Sequence, residues 1–168
     1  MIFLYHLLSI FLAVLLVPLF SLTALFSKYK WRGLAHHFGW VPAKTRPSEK
    51  TLWLHALSMG EVVAATPALK QLRQQIPDLY IALSVTTDSG YATAIKLEFV
   101  DSVFFHPLDC LPFTQLALNR IDPDLYVVTD TRFWPGLIDL LDKKKISALL
   151  LNGRISERST RRYLRFGF

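Results

Sequence analysis

The 168 residues carry 19 Lys and Arg against 13 Asp and Glu, a formal charge of +6, and one cysteine. A chain of this length holds about one domain, and a lone cysteine excludes an internal disulfide framework and suits a reducing compartment. The charge is too diffuse to imply nucleic acid, so no such partner is expected; Cys110 reads as a small buried apolar residue. Residues 2–26 contain no Asp, Glu, Lys or Arg. About 20 helical residues cross a bilayer core, so residues 1–27 are expected to form a membrane anchor helix, kinked rather than abolished by Pro18. A cleaved signal peptide would need basic residues before the run and small residues after it, and neither is present. Lys28, Lys30 and Arg32 follow at once, which places that flank on the cytoplasmic side of the membrane. Spanning and lying in one leaflet both remain open.

Residues 28–50 form a basic, aromatic juxtamembrane segment ending in a Pro-containing linker. Trp31, Phe38 and Trp40 suit either the membrane interface or packing on the domain. His36 and His37 are adjacent, so a helix would point them apart, and no metal site is expected.

From Thr51 onward, short apolar runs alternate with helical patterns. Strands are expected at 52–56, 80–85, 102–105, 125–129 and 148–151. Helices are expected at 61–75, 89–97, 111–120 and 134–144, with another from about Glu157. Val62, Ala65, Leu69 and Leu72 recur at helical spacing, and Pro77 and Pro123 end helices just ahead of strands. The repeating β-α order predicts an α/β fold: a Rossmann-like parallel sheet flanked by helices, with ligands at the carboxyl ends of its strands. Residues 51–168 form that domain.

The loops after the strands are therefore the candidate site. HALSMGE runs straight into a helix, and its Ser58 and Gly60 permit a tight loop whose N–H groups could face an anion or a sugar oxygen. Glu61 opens that helix, and two roles are available to it: favourable interaction with the helix dipole or general base at the cleft mouth. Thr86 and Thr87, in VTTDSG, are placed to bind a ligand or to cap a helix. HPLD follows the third strand, DTRFWP the fourth and NGRISERS the fifth. No glycine-rich dinucleotide fingerprint or phosphate-binding loop is present, which gives no support for a nucleotide cofactor.

Taken in order, HALSMGE, VTTDSG, HPLD, TRFWP and NGRISERS resemble the N-terminal domain of the 3-deoxy-D-manno-octulosonic acid (Kdo) transferases. That family's motifs read roughly H-A-x-S-x-G-E, T-T-x-x-x-G, P-x-D, E-T-E-x-W-P and N-A-R-x-S-x-R-S. The resemblance covers essentially the whole chain. It implies the N-terminal half of a GT-B glycosyltransferase at the inner membrane, with lipid A precursor as acceptor. It further implies CMP-Kdo as donor, bound by a C-terminal domain that would follow Phe168, so this chain alone is expected to be inactive. Glu61 takes the place of the family's general base. Ser58, Gly60, Thr86, Thr87, Asp130, Arg132, Trp134, Asn152 and Arg154 become candidate acceptor-binding residues. Asp130 shortens one family Glu, and Arg132 reverses the charge of another, which fits either a phosphate contact or a degenerate site. A non-catalytic, membrane-anchored module that binds lipid A or a protein is the competing reading. The arginines from Arg154 to Arg165 suit either a solvated face or anionic lipid.

Overall fold

The computed structural model describes residues 2–24, 28–45, 50–129, 134–153 and 161, without the side chains of 16, 19–24 and 28–32. Asp130, Arg132, Arg154 and the helix expected from about Glu157 lie outside the described residues.

Two helices, α1 (Ile2–Ala24) and α2 (Lys28–His37), precede an alternating series. It runs β1 (Thr51–Ala56), α3 (Met59–Gln75), β2 (Tyr80–Val85), α4 (Asp88–Ala94), β3 (Ser102–Phe105), α5 (Leu111–Ile121), β4 (Leu125–Val128), α6 (Pro135–Lys143) and β5 (Ser147–Leu150). The sheet order is β3-β2-β1-β4-β5, and every pairing is parallel. This is the Rossmann-like arrangement expected of the β-α repeat, with β1 and β2 buried along their whole length as interior parallel strands are.

Side chains alternate across the sheet and build two cores. On one face, Leu52, Leu54, Ile81 and Leu83 meet Val62, Ala65 and Leu69 of α3. On the other, Trp53, Phe104 and Tyr126 meet Leu118 of α5 and Leu137 and Leu141 of α6.

The described part of the 28–50 segment packs on the domain. Gly33 lies so close to the Phe105 ring that a Cβ there would sit 3.2 Å from it. Val41 is fully buried in the second core, Phe38 packs on Phe113 with ring centroids 5.2 Å apart, and Arg120 lies over the exposed Trp40 ring at 4.4 Å.

The structure does not support the expected membrane-crossing anchor: among the described residues no helix is long and apolar enough to cross a membrane. The α1 helix runs on through Pro18 and lies against α2, α5 and α6. A stripe containing Tyr5, His6 and Ser9 faces the domain, whereas Phe3, Leu4, Leu7, Leu8, Phe11, Val14 and Leu15 are exposed. The helix thus turns polar groups inward and apolar ones outward.

Candidate functional site

Neighbouring β1 and β4 send their following helices to opposite faces of the sheet, because α3 belongs to one core and α6 to the other. That is the topological switch point at which open parallel sheets bind ligands. Backbone contacts draw the strand ends together there. The N–H and hydroxyl of Thr129 donate to the His55 carbonyl at 3.1 and 3.2 Å, and the Thr86 N–H donates to the Leu57 carbonyl at 3.1 Å.

After β1, Ser58 is extended at φ −136° and ψ 172° and turns the chain into α3. The Glu61 carboxylate reaches back over this turn, where its Oε2 accepts from the N–H of Leu57 and, at 3.2 Å, from that of Ser58. The Ser58 N–H is one of the donors that an isolated helix start leaves unsatisfied, and Leu57 lies just before it. Gly60 is exposed, and a Cβ there would meet nothing within 4 Å, so packing does not demand glycine and the loop opens onto free space. After β2, Thr87 caps α4 by accepting from the Gly90 N–H at 3.1 Å. Gly90 is needed for close approach, since a Cβ there would lie 3.3 Å from the Ser58 backbone. Ser58, Gly60 and Glu61 are in this way brought beside Thr86 and Thr87.

A buried aromatic cluster joins β1, the end of β3 and the start of α6. Trp134 stacks on His106 with centroids 4.9 Å apart and planes at 19°, and His106 lies 4.1 Å from the His55 ring. Trp53 donates to the Ser84 hydroxyl at 2.8 Å, and that hydroxyl lies 3.0 Å from His55 Nδ1. The Nδ1–H of His106 donates to the Pro107 carbonyl at 2.9 Å. Burial, and next the neighbouring His55, hold His106 far below the ordinary histidine range, so its ring is neutral. His106 Nε2 and Trp134 Nε1 have no hydrogen-bond partner among the described residues.

The Asp109 carboxylate has a role that its motif alone does not reveal. Its Oδ2 accepts from the Gly136 N–H and its Oδ1 from the Leu137 N–H, each at 2.8 Å, which caps α6 from a loop 27 residues upstream. A Cβ on Gly136 would lie 2.7 Å from Oδ1, so glycine lets the carboxylate approach. The Tyr5 hydroxyl donates to the same Oδ2 at 2.6 Å. A carboxylate directly after a strand, with a Trp-Pro-Gly helix start later in the chain, was the available signal.

Trp134 joins the cleft through the histidine cluster, whereas Asn152 stands apart from the Ser58–Thr87 group. It lies beyond β5, exposed and left-handed at φ 56°, three strand spacings from β2, or roughly 14 Å. A cavity of about 580 Å³ forms an apolar hollow between α3 and the amino ends of β1 and β4, lined by Leu52, Leu72, Ile76, Leu125 and Leu149 among others. It is at the end of the sheet remote from these loops.

Residues 32–168 match the sequence profile of the family described as 3-Deoxy-D-manno-octulosonic-acid transferase (kdotransferase). A 3-deoxy-D-manno-octulosonic acid transferase of Haemophilus influenzae is 39% identical over 139 residues, covering 81% of this chain and 32% of that protein. A bifunctional glycosyltransferase/methyltransferase of Fusobacterium nucleatum is 35% identical over 124 residues, covering 71% of this chain and 19% of that protein. A probable mitochondrial 3-deoxy-D-manno-octulosonic acid transferase of Arabidopsis thaliana is 33% identical over 143 residues, 79% of this chain and 31% of that protein. The chain therefore spans about a third or less of the length of these relatives.

Proposed function

The chain belongs to the 3-deoxy-D-manno-octulosonic acid transferase family, and from that premise we propose that it is the acceptor-binding domain of a glycosyltransferase. One observation carries the proposal: polar loops meet at the switch point with the Glu61 carboxylate held over their open mouth. Lipid A precursor lies across the carboxyl ends of the strands. Ser58, Gly60, Thr86, Thr87 and Trp134 contact its sugar, and Asp130, Arg132, Asn152 and Arg154 reach it from the flanking loops. Arg132 offers a bidentate partner for a phosphate on the acceptor.

In the complete GT-B enzyme a second domain supplies CMP-Kdo. Glu61 takes the proton of the attacking sugar hydroxyl as the new C–O bond forms at the anomeric carbon. The bond to the CMP phosphate breaks on the opposite side, CMP leaves with the electron pair, and the anomeric centre inverts. Both backbone donors fall on Oε2 of Glu61, so Oε1 is the oxygen turned to this work. The reversed charge at Arg132 favours one alternative, a lipid A-binding module without catalysis.

The membrane part of the proposal is a seat in one leaflet at the cytoplasmic face of the inner membrane. The exposed apolar side of α1 supports it, as do the basic residues that follow. The helix contacts α5 and α6 near their amino ends, at the same end of the sheet as the cleft, so an acceptor drawn from that leaflet has a short path. Titration of the full chain with lipid A precursor and with CMP-Kdo tests the assignment. Binding of the first alone is expected, and tight binding of CMP-Kdo to this chain would overturn it.

A further inference from the structure

Within residues 2–15, Tyr5, His6 and Ser9 are the only polar side chains, and all three contact the domain. Tyr5 donates to Asp109, His6 Nε2 donates to Asp139 at 2.9 Å, and the Ser9 hydroxyl, beside Cys110, donates to the His6 carbonyl at 2.9 Å. A helix that served lipid contact alone would have no use for them.

The start of α6 is held from outside. Trp134 occupies its N-cap position without a side-chain cap bond, and the first N–H donors go to Asp109 instead. Asp109 is in turn gripped by Tyr5. His6 takes Asp139, about one turn further along α6. Two adjacent residues of α1 therefore fix α6 at two points one turn apart, which sets both its position along its axis and its rotation about it. Trp134 stands at the start of that helix and stacks on His106, so a displacement of α6 moves a side chain of the candidate site.

We propose that α1 splints α6, with Tyr5 and His6 as positioning residues that act through Asp109 and Asp139 on the placement of Trp134. Asp139 also binds Lys143 at 2.7 Å, so loss of His6 releases the helix without leaving a carboxylate unpaired. The contact does not depend on what the cleft binds or on where α1 meets lipid.

Amide hydrogen exchange on the full chain in mild detergent tests the proposal, with wild type compared with Tyr5→Phe, His6→Leu and His6→Gln. A hydrogen bond to a charged group is worth about a tenfold change in local opening. Gly136 and Leu137 should therefore exchange roughly tenfold faster in Tyr5→Phe and His6→Leu, while Leu54 of β1 and Leu83 of β2 keep their protection. The Gln side chain places an N–H donor near the position of the imidazole Nε2, so His6→Gln should return Gly136 and Leu137 to within about twofold of wild type. Unchanged exchange at both amides in Tyr5→Phe and His6→Leu would overturn the proposal. So would an equal rise in the β-strand amides, which would make α1 a general stabiliser, or a failure of His6→Gln to restore protection.

Discussion

Replacing Glu61 with Gln separates its observed role as a helix cap from its proposed role as general base, because the two differ in size. As helix cap, the carboxylate accepts from Leu57 and Ser58 through Oε2 alone, and the Gln carbonyl oxygen can accept the same donors. What the cap loses is a negative charge at a helix amino end, worth about 0.3–1 kcal/mol, or a fall of at most about 4 °C in Tm for a chain of this size. In the proposed role of general base, the residue would supply about 10²–10⁴-fold in rate, equivalent to roughly 2.7–5.4 kcal/mol. Glu61→Ala removes the acceptor as well and should cost about 0.5–2 kcal/mol of stability. The assays are thermal unfolding of this chain and single-turnover transfer by a complete transferase that contains it. Glu61→Gln should keep Tm within a few degrees and lose at least about a hundredfold in turnover, with acceptor affinity little changed. Turnover within threefold of wild type would remove Glu61 from the chemistry. A larger stability loss for Gln than for Ala would refute the capping account.

Gly136→Ala places a Cβ 2.7 Å from Asp109 Oδ1, an oxygen already fixed by its bond to Leu137; the overpacking should cost about 1–3 kcal/mol, read as a lower urea midpoint at unchanged slope. Burial, and then His37, lower the pKa of His36 to about 4, and its Nδ1 accepts from the Phe105 N–H at 3.2 Å. His36 protonates near 6.5 in the unfolded chain and near 4 in the folded one, so its contribution to stability is full above pH 6.5 and falls as pH drops through that window; His36→Gln should reduce the pH dependence in pH-resolved urea titrations and leave the share carried by His37 and His106. Replacing Leu7, Phe11 and Leu15 together with Ser removes roughly 1–2 kcal/mol of apolar transfer per side chain, so binding to anionic vesicles in a flotation assay should weaken at least about a hundredfold; unchanged flotation would refute a lipid seat on that face.

The sheet was legible because interior parallel strands must be apolar along their whole length. The bounds of β2 and β3 match the apolar runs read from the sequence, and the alternation of Trp53 and His55 with Leu52 and Leu54 already separates the two faces. The α2 helix was not legible. Its sequence KYKWRGLAHH offers only Trp31, Leu34 and Ala35 at helical spacing, over a single turn, and its place is set by contacts at the end of β3: Gly33 against Phe105, and the His37 Nδ1–H donating to the His106 carbonyl at 2.9 Å. Asp109 was visible as a carboxylate after a strand, but its donors arrive from residues 27 and 28 positions later, and only the fold brings them there. For α1 the uncharged run stood out. The finer signal was Tyr5 and Ser9 at i, i+4 with His6 beside them, which marks a polar stripe facing a protein surface.

Asp109 and Glu61 occupy equivalent electrostatic settings, each a carboxylate at a helix amino end on the cleft side of the sheet. Sequence position gives no way to rank them, since both follow strands within family motifs. Their hydrogen bonds do. Asp109 commits both oxygens, Oδ1 to Leu137 and Oδ2 to Gly136 and Tyr5. An acceptor so fully occupied has little capacity left for a substrate proton, and moving it would release α6. Glu61 concentrates its backbone bonds on Oε2, and the glycine beside it faces open space. Its second oxygen can therefore meet a sugar hydroxyl while the first keeps the side chain in place. A carboxylate anchored through one atom and available through the other satisfies the positional demand of a general base, and of these two only Glu61 meets it.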